Sequence, residues 1–456
     1  MHGATILALA MGCALGGAAR AATYAPDPIL PSNLTIRLTE VAPAAPAGRR
    51  NDIASPVAIE GDLYIANTAA GIVTLRDASG TDRTVLDAAS PPPGIAAGGV
   101  FRPLNIAGEG GRAYVTYLAD SRPAGFGAAA PLPDAPQYLD ANGYFELVYR
   151  YDRAPDGTLS NPEPLAAFEA ADSGHRSSGM LVLPDGRLLY ARGDQLRPDY
   201  NGLEAPQDPG STVSKLIAID PDTGGTEILA QGLRNVQRLT YLDAARTEIA
   251  FADIGWQVAE EINTVAVADL IDTAEIENFG WGVAADGLAR EGTFYVNDGP
   301  EDVAAAIGVA PLGEAGFVQP FAQFGREGDG FFAVSGPVVS DVSFTTIGML
   351  FGDLASGSLY ATLAGASGIA NEVYSVGVEG PDGVRTTLWG LFGDERDDVR
   401  FFNFADMGAG LLLERSGRMF RIEQIAMAAV PIPSGGWPLL LVLTGGALAG
   451  CRKRAG

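Results

Sequence analysis

Short runs of β-branched, aromatic and leucine residues, most of them entered through a glycine turn, recur along the body of this chain. They read Gly61–Ala66, Gly111–Thr116, Gly186–Ala191, Thr247–Ala252, Gly357–Thr362 and Ala409–Glu414. Each is a strand candidate, most with a turn residue in front. No stretch carries the 3.6-residue periodicity of an amphipathic helix over four turns. The spacing, about 50 to 75 residues with one wider gap, is too long and uneven for a β-sandwich but suits propeller blades with long loops. Radial repetition also shields sheet edges in a long all-β chain. The expectation is an all-β fold, a six-bladed β-propeller over residues 23–429, with long loops such as Ala119–Ala141 and Gly299–Phe331 decorating one face.

The two ends follow different patterns. Ile6–Leu15 is a short apolar run, and Ala19-Arg20-Ala21 offers a cleavage site after Ala21, so residues 1–21 read as a secretory signal. At the other end Val430-Pro431-Ile432-Pro433-Ser434 precedes an apolar stretch, residues 435–451, closed by Arg452-Lys453-Arg454. That stretch is an apolar helix near the minimum length for crossing a bilayer, with its basic end inside. Motif, span and basic tail together resemble the PEP-CTERM class of sorting signals in its Val-Pro-x-Pro variant. The resemblance implies that residues 430–456 serve export, at least transient membrane anchoring, and processing by a sorting protease. The protein is then periplasmic or on the cell surface.

Composition narrows the partners. The 55 acidic residues outnumber the 30 basic ones, for a net charge of −25. That repels nucleic acid and anionic membrane surfaces. Cys13 and Cys451 both fall in the terminal segments, so the body has no disulfide and no thiolate metal site. Beyond the signal a single histidine remains, His175, in Gly174-His175-Arg176-Ser177-Ser178-Gly179. A histidine alone is most simply a loop residue satisfied by backbone carbonyls. It is also the side chain best suited to move protons near pH 7, and only this position can supply one.

Several ordered segments give His175 a context. His175 leads into Pro184-Asp185-Gly186, Leu189-Tyr190 and Gly193-Asp194-Gln195. Gln207-Asp208 precedes Lys215-Leu216-Ile217-Ala218-Ile219-Asp220. Gly232-Leu233-Arg234-Asn235 continues to Asp253-Ile254-Gly255-Trp256 and Glu260-Glu261-Ile262-Asn263. After an insertion come Asn278-Phe279-Gly280-Trp281, and later Gly352-Asp353-Leu354 with Gly357. In order and spacing, from about Ser55 to Glu423, these resemble the glucose/sorbosone dehydrogenase family, six-bladed propellers that use pyrroloquinoline quinone (PQQ) and calcium. The resemblance implies His175 as general base, with Gln195, Arg234, Asn235 and Arg400 as quinone contacts. It implies the backbone carbonyls of Gly255 and Trp256 as ligands of a catalytic calcium, and Glu261 as ligand of a structural one. The chain departs from the family at Gly174, where Asp or Asn is usual. It departs again at Ala355 or Ser356, where a lysine is usual, and at Asp398, where a second arginine is usual; Arg396 could replace that arginine only through a register shift.

The function expected from this set is exported oxidation of an aldose or related hydroxyl compound, by hydride transfer to PQQ with calcium assistance. The alternative is a non-catalytic surface propeller that binds carbohydrate or an exported polymer. A lactone hydrolase on a similar propeller would need a set of metal-binding carboxylates around the channel, and the sequence does not single one out.

Overall fold

The computed structural model describes residues between Leu34 and Ile425. Internal stretches fall outside it, the longest being 43–52, 131–142, 196–204, 297–305, 326–333, 337–343 and 393–399. Contacts divide the chain after Ile425, and the second unit, Ala426–Gly456, lies wholly outside the described residues. So do the expected signal, 1–21, and the apolar segment 435–451. Among the described residues no helix is long and apolar enough to cross a membrane.

Among the described residues strands account for 55% and helices for 4%. The first sheet runs in chain order through Ile53–Ile59, Asp62–Asn67, Ile72–Arg76 and Asp82–Asp87. The second does the same through Phe101–Glu109, Arg112–Ala119, Tyr144–Arg153 and Leu159–Ala170. The third comprises Gly179–Val182, Leu188–Arg192, Lys215–Ile219 and Thr226–Gln231, with Glu277–Asn278 added in parallel at its edge. The fourth takes Val236–Tyr241, Glu248–Asp253 and Ala259–Ala266, then Ala322–Gly325 after an insertion. That insertion folds as a small sheet of its own, Gly282–Val283, Ala289–Glu291, Phe294–Val296 and Ala306–Val309.

The remaining strands share one composite sheet. It holds Ile347–Gly352, Leu359–Leu363 and Tyr374–Glu379, and also Arg400–Phe404, Ala409–Leu413 and Met419–Gln424. Thr35–Ala42, from the N-terminal side, pairs antiparallel with Met419–Gln424 and so closes the end of the fold onto its beginning. First strands of neighbouring sheets lie against one another, from Arg400–Phe404 to Ile53–Ile59, Phe101–Glu109, Gly179–Val182 and Val236–Tyr241. The sheets are therefore arranged radially, first strands innermost.

The turns follow from residue type. Between the first two strands Glu60 and Gly61 both have positive φ, 53° and 84°, the pairing that matches a two-residue hairpin to strand twist. Leu188–Arg192 and Lys215–Ile219 are buried at every position. Neighbouring sheets cover both of their faces, so their sequences show apolar runs without alternation.

All six sequence recurrences coincide with strands, and each is the second strand of its run: those at 62–67, 112–119, 188–192, 248–253, 359–363 and 409–413. The loop expected over Gly299–Phe331 is corrected. It contains Ala306–Val309 and Ala322–Gly325, short strands whose pairing comes from neighbours distant in sequence.

Candidate active site

Four segments meet at one end of the third and fourth sheets. Two enter first strands, at His175 and at Leu233–Asn235; two leave second strands, at Gly193–Gln195 and at Asp253–Trp256. The entering and leaving segments are stitched by the same bond in both sheets. Gln195 N–H donates to the His175 carbonyl (3.3 Å), and Ile254 N–H to that of Asn235 (3.2 Å). Asp194 N–H crosses between the sheets to the Arg234 carbonyl (2.8 Å). A side chain at Gly193 would strike the carbonyls of both His175 and Arg234, so only glycine permits this approach.

The side chains then fall into place. His175 Nδ1 lies 2.7 Å from Asp194 Oδ1, with the two side chains 13% and 8% exposed. Asp194 Oδ2 lies 3.8 Å from Arg234 Nε. Arg234 sits over the Trp281 ring at 5.7 Å, and its Nη1 donates to the carbonyls of Ile254 (3.0 Å) and Gly255 (2.5 Å). Trp281 packs edge-on to Trp256. Asp253 accepts the amides of Arg234 (2.9 Å) and Asn235 (2.6 Å).

Behind this lies a group of buried carboxyls. Glu261 accepts Gly292 N–H (2.6 Å) and Asn263 Nδ2 (3.2 Å). Glu291 Oε1 gathers the amides of Trp256 (2.7 Å), Val258 and Ala259 (2.9 Å each). Burial lifts Asp253 to about 7 against the pull of its two amides, and the charge of Asp194 adds to the rise. Burial pushes Glu261 well above the carboxylate range, with Asp253 and Glu291 adding repulsion.

The expected site residues divide accordingly. His175, Arg234 and the Gly255 carbonyl are joined through Asp194 and the guanidinium. Asn235 is beside them, its side-chain oxygen accepting Gln237 Nε2 (3.0 Å). Gln195 is fully buried beneath His175, with its amide directed to Glu146 Oε1 (3.2 Å). Trp256 and Glu261 belong to the carboxyl group behind. Arg400 opens an innermost strand, and its side chain is outside the described residues, as are Gly174, Ala355, Ser356, Arg396 and Asp398. Sequence reasoning gave no role to Asp194, Asp253, Glu291 or Glu146. The first two stand inside motifs it used, but nothing in the motif says which residue faces the imidazole.

No protein-family model and no curated protein matches the chain. Among solved structures, a glucose dehydrogenase is similar at 17% identity, covering 85% of this chain and 99% of that one, with a TM-score of 0.51. The PQQ-bound aldose sugar dehydrogenase of Streptomyces coelicolor is similar at 16% identity, covering 86% and 99%, with a TM-score of 0.49. The fold is a β-propeller.

Whether this propeller's residues suit a quinone and a calcium ion is answered differently for the two. Arg234 Nε is buried and makes no hydrogen bond among the described residues, a donor beside the imidazole that a quinone oxygen would satisfy. Calcium does not fit as expected. The Gly255 carbonyl already holds the Arg234 guanidinium, and a cation there would have to displace it. Among the described residues no three histidine, cysteine or acidic side chains converge as metal ligands. Lys215, another cation of the third sheet, is spent on the carbonyls of Ala205, Pro206 and Val213 at 2.8–3.0 Å. Three acceptors suit an ammonium, although burial pulls Lys215 down to about 7; the geometry argues for the charged form near neutrality.

Proposed function

We propose that this protein is an exported, six-bladed oxidoreductase that oxidises the CH–OH group of an aldose or related hydroxyl compound, with His175 as the base and PQQ as the acceptor. The observation that carries the reading is the His175–Asp194 contact at 2.7 Å, beside the Arg234 guanidinium, assembled from segments of two sheets. The terminal signals support export. With Nδ1–H donated to Asp194, the basic lone pair of a neutral imidazole is on Nε2. There it takes the proton of the substrate hydroxyl, and the Asp194 carboxylate stabilises the imidazolium that forms. Arg234 and Asn235 would hold the quinone, and Arg234 would stabilise charge developing on its oxygens. The quinone, when bound, supplies the two-electron acceptor.

The test uses the full chain. Added PQQ should give a bound-quinone absorption spectrum, and a panel of aldoses and alcohols should reduce an artificial dye. His175→Ala should keep the fold by circular dichroism and lose oxidation. Because Arg234 occupies the Gly255 carbonyl, EGTA should leave Tm and quinone binding unchanged; calcium-dependent binding would refute that arrangement. If PQQ gives no bound spectrum and no substrate reduces the dye, the oxidoreductase reading fails. The alternative, a non-catalytic surface propeller that binds carbohydrate or an exported polymer, then takes its place.

A further inference from the structure

We propose that the buried Glu146–Arg192 ion pair, acting through Gln195, positions His175, and that Gln195 is a strut of the base instead of a contact to a bound cofactor. The proposal rests on His175 being the base of this site.

The chain of contacts starts in the second sheet. Glu146, on Tyr144–Arg153, is fully buried and accepts Arg192 Nε (3.1 Å) and the Tyr190 hydroxyl, both from the second strand of the third sheet. Arg192, also fully buried, extends to Thr212 Oγ1 (2.5 Å) and to the Glu169 carbonyl, and its guanidinium lies over the Phe168 ring at 5.2 Å. The other Glu146 oxygen accepts Gln195 Nε2 at 3.2 Å. A carboxylate there can only accept, so it fixes which end of the Gln195 amide points down. Gln195 in turn meets His175, its backbone N–H and its Nε2 both facing the His175 carbonyl at 3.3 and 3.5 Å.

Two features make this more than packing. An ion pair removed from water on both sides seldom stabilises a fold better than apolar side chains of the same volume. Its presence at the junction of two sheets is better explained by the orientation it imposes. Furthermore, His175 and Gln195 both have positive φ, 51° and 64°, although neither is glycine. Such conformations persist only where the surroundings over-determine them. Asp194 lies inside the same turn, so whatever holds Gln195 also sets the carboxylate that meets the imidazole. Releasing Glu146 should let the turn relax and the ring leave Asp194.

His175 can be observed directly. The chain has two histidines, His2 and His175, so a ¹⁵N-histidine spectrum contains two rings, and His175→Gln assigns them. In the wild type the His175 ring should carry its proton on Nδ1. Glu146→Gln and Gln195→Ala should each convert it to a mixture of tautomers, as the ring leaves the Asp194 carboxylate. Gln195→Ala leaves the ion pair intact, so it carries the test if Glu146→Gln fails to fold. His175 resonances coincident with the wild type in a folded variant would overturn the proposal. Where dye reduction is measurable, kcat should fall at least tenfold with KM nearly unchanged. Shifted spectra in a chain that oxidises nothing would defeat the oxidoreductase reading and leave the positioning role standing. An active enzyme with unmoved His175 spectra would do the reverse.

Discussion

The third and fourth sheets close their mouths with the same bond and use it for different ends. In each, an amide leaving the second strand meets the carbonyl of a residue entering the first: Gln195 to His175, Ile254 to Asn235. One residue before that amide stands an aspartate in both. Asp253 spends its two oxygens on backbone, the amides of Arg234 and Asn235. Asp194 directs one oxygen to an imidazole. The second sheet offers a plainer version one residue along, in which exposed Asp120 itself carries the stitching amide, donating it to the Val100 carbonyl (3.1 Å) while its carboxylate accepts Val100 N–H (2.8 Å). An aspartate at this place is thus a fastening of the propeller. In the proposed function, chemistry enters only where the partner is a side chain that can exchange a proton.

The sharpest way to break the comparison is Asp194→Asn. The backbone fastening from Asp194 N–H to Arg234 survives, so the fold should hold. The replacement carries no charge to stabilise an imidazolium and can present an NH₂ to the ring, selecting the wrong tautomer. Oxidation should drop on the order of a hundred- to ten-thousandfold, with Tm within a few degrees of wild type. A near-normal rate would show that Asp194 is a fastening like the others.

Asp253→Asn should do the opposite, costing stability first. Asn has one carbonyl oxygen for two buried amides, and leaving one unsatisfied costs about 1–3 kcal/mol. The pH dependence identifies the group. Burial lifts Asp253 to about 7, whereas the unfolded carboxyl titrates near about 4. Between those values the native state binds a proton that the unfolded state has released. Its contribution to stability is therefore fully present below about 4 and lost as pH rises through about 7. Denaturant melts from pH 4 to 8 should show that decline in the wild type and a flatter profile in Asp253→Asn. An unchanged slope would mean Asp253 is ionised in the folded protein.

How far these roles could be read from sequence follows the same division. Strands entered through glycine turns were legible because a hairpin turn is local chemistry, as at Glu60-Gly61. His175 was legible because it has no competitor in the body. Asp194 was visible as a letter in Gly193-Asp194-Gln195, but its partner is an imidazole 19 residues away that only the fold brings to it. Glu146 was not legible at all, since Tyr-Phe-Glu-Leu-Val reads as any strand until the third sheet covers it. Glu291 lies in an insertion that folds as its own sheet, and only that fold brings it under the amides of Trp256, Val258 and Ala259. The Gly255 carbonyl was expected to hold calcium, and it accepts the Arg234 guanidinium instead. That its cation is Arg234 depends on a rotamer, which residue spacing does not encode.

The smallest effect belongs to Asp120. Its carboxylate caps one amide, that of Val100, at the solvent-exposed entry to the second sheet. Water can satisfy that amide when the side chain is removed, so Asp120→Ala should cost only about 0.5–1.5 kcal/mol, the net worth of one hydrogen bond. Gly99 adjoins the carboxylate so closely that a side chain there would meet Asp120 Oδ1 at 2.7 Å, so the loop is shaped around this aspartate. Loss of the carboxylate should therefore loosen Gly99–Val100 locally, visible as faster amide exchange at Val100, with rates at the third and fourth sheets unchanged. Oxidation and quinone binding should match the wild type. A loss of activity in Asp120→Ala, at normal Tm, would mean that the mouth acts as one coupled ring instead of three independent fastenings, and Asp194 would then owe its role to more than its partner.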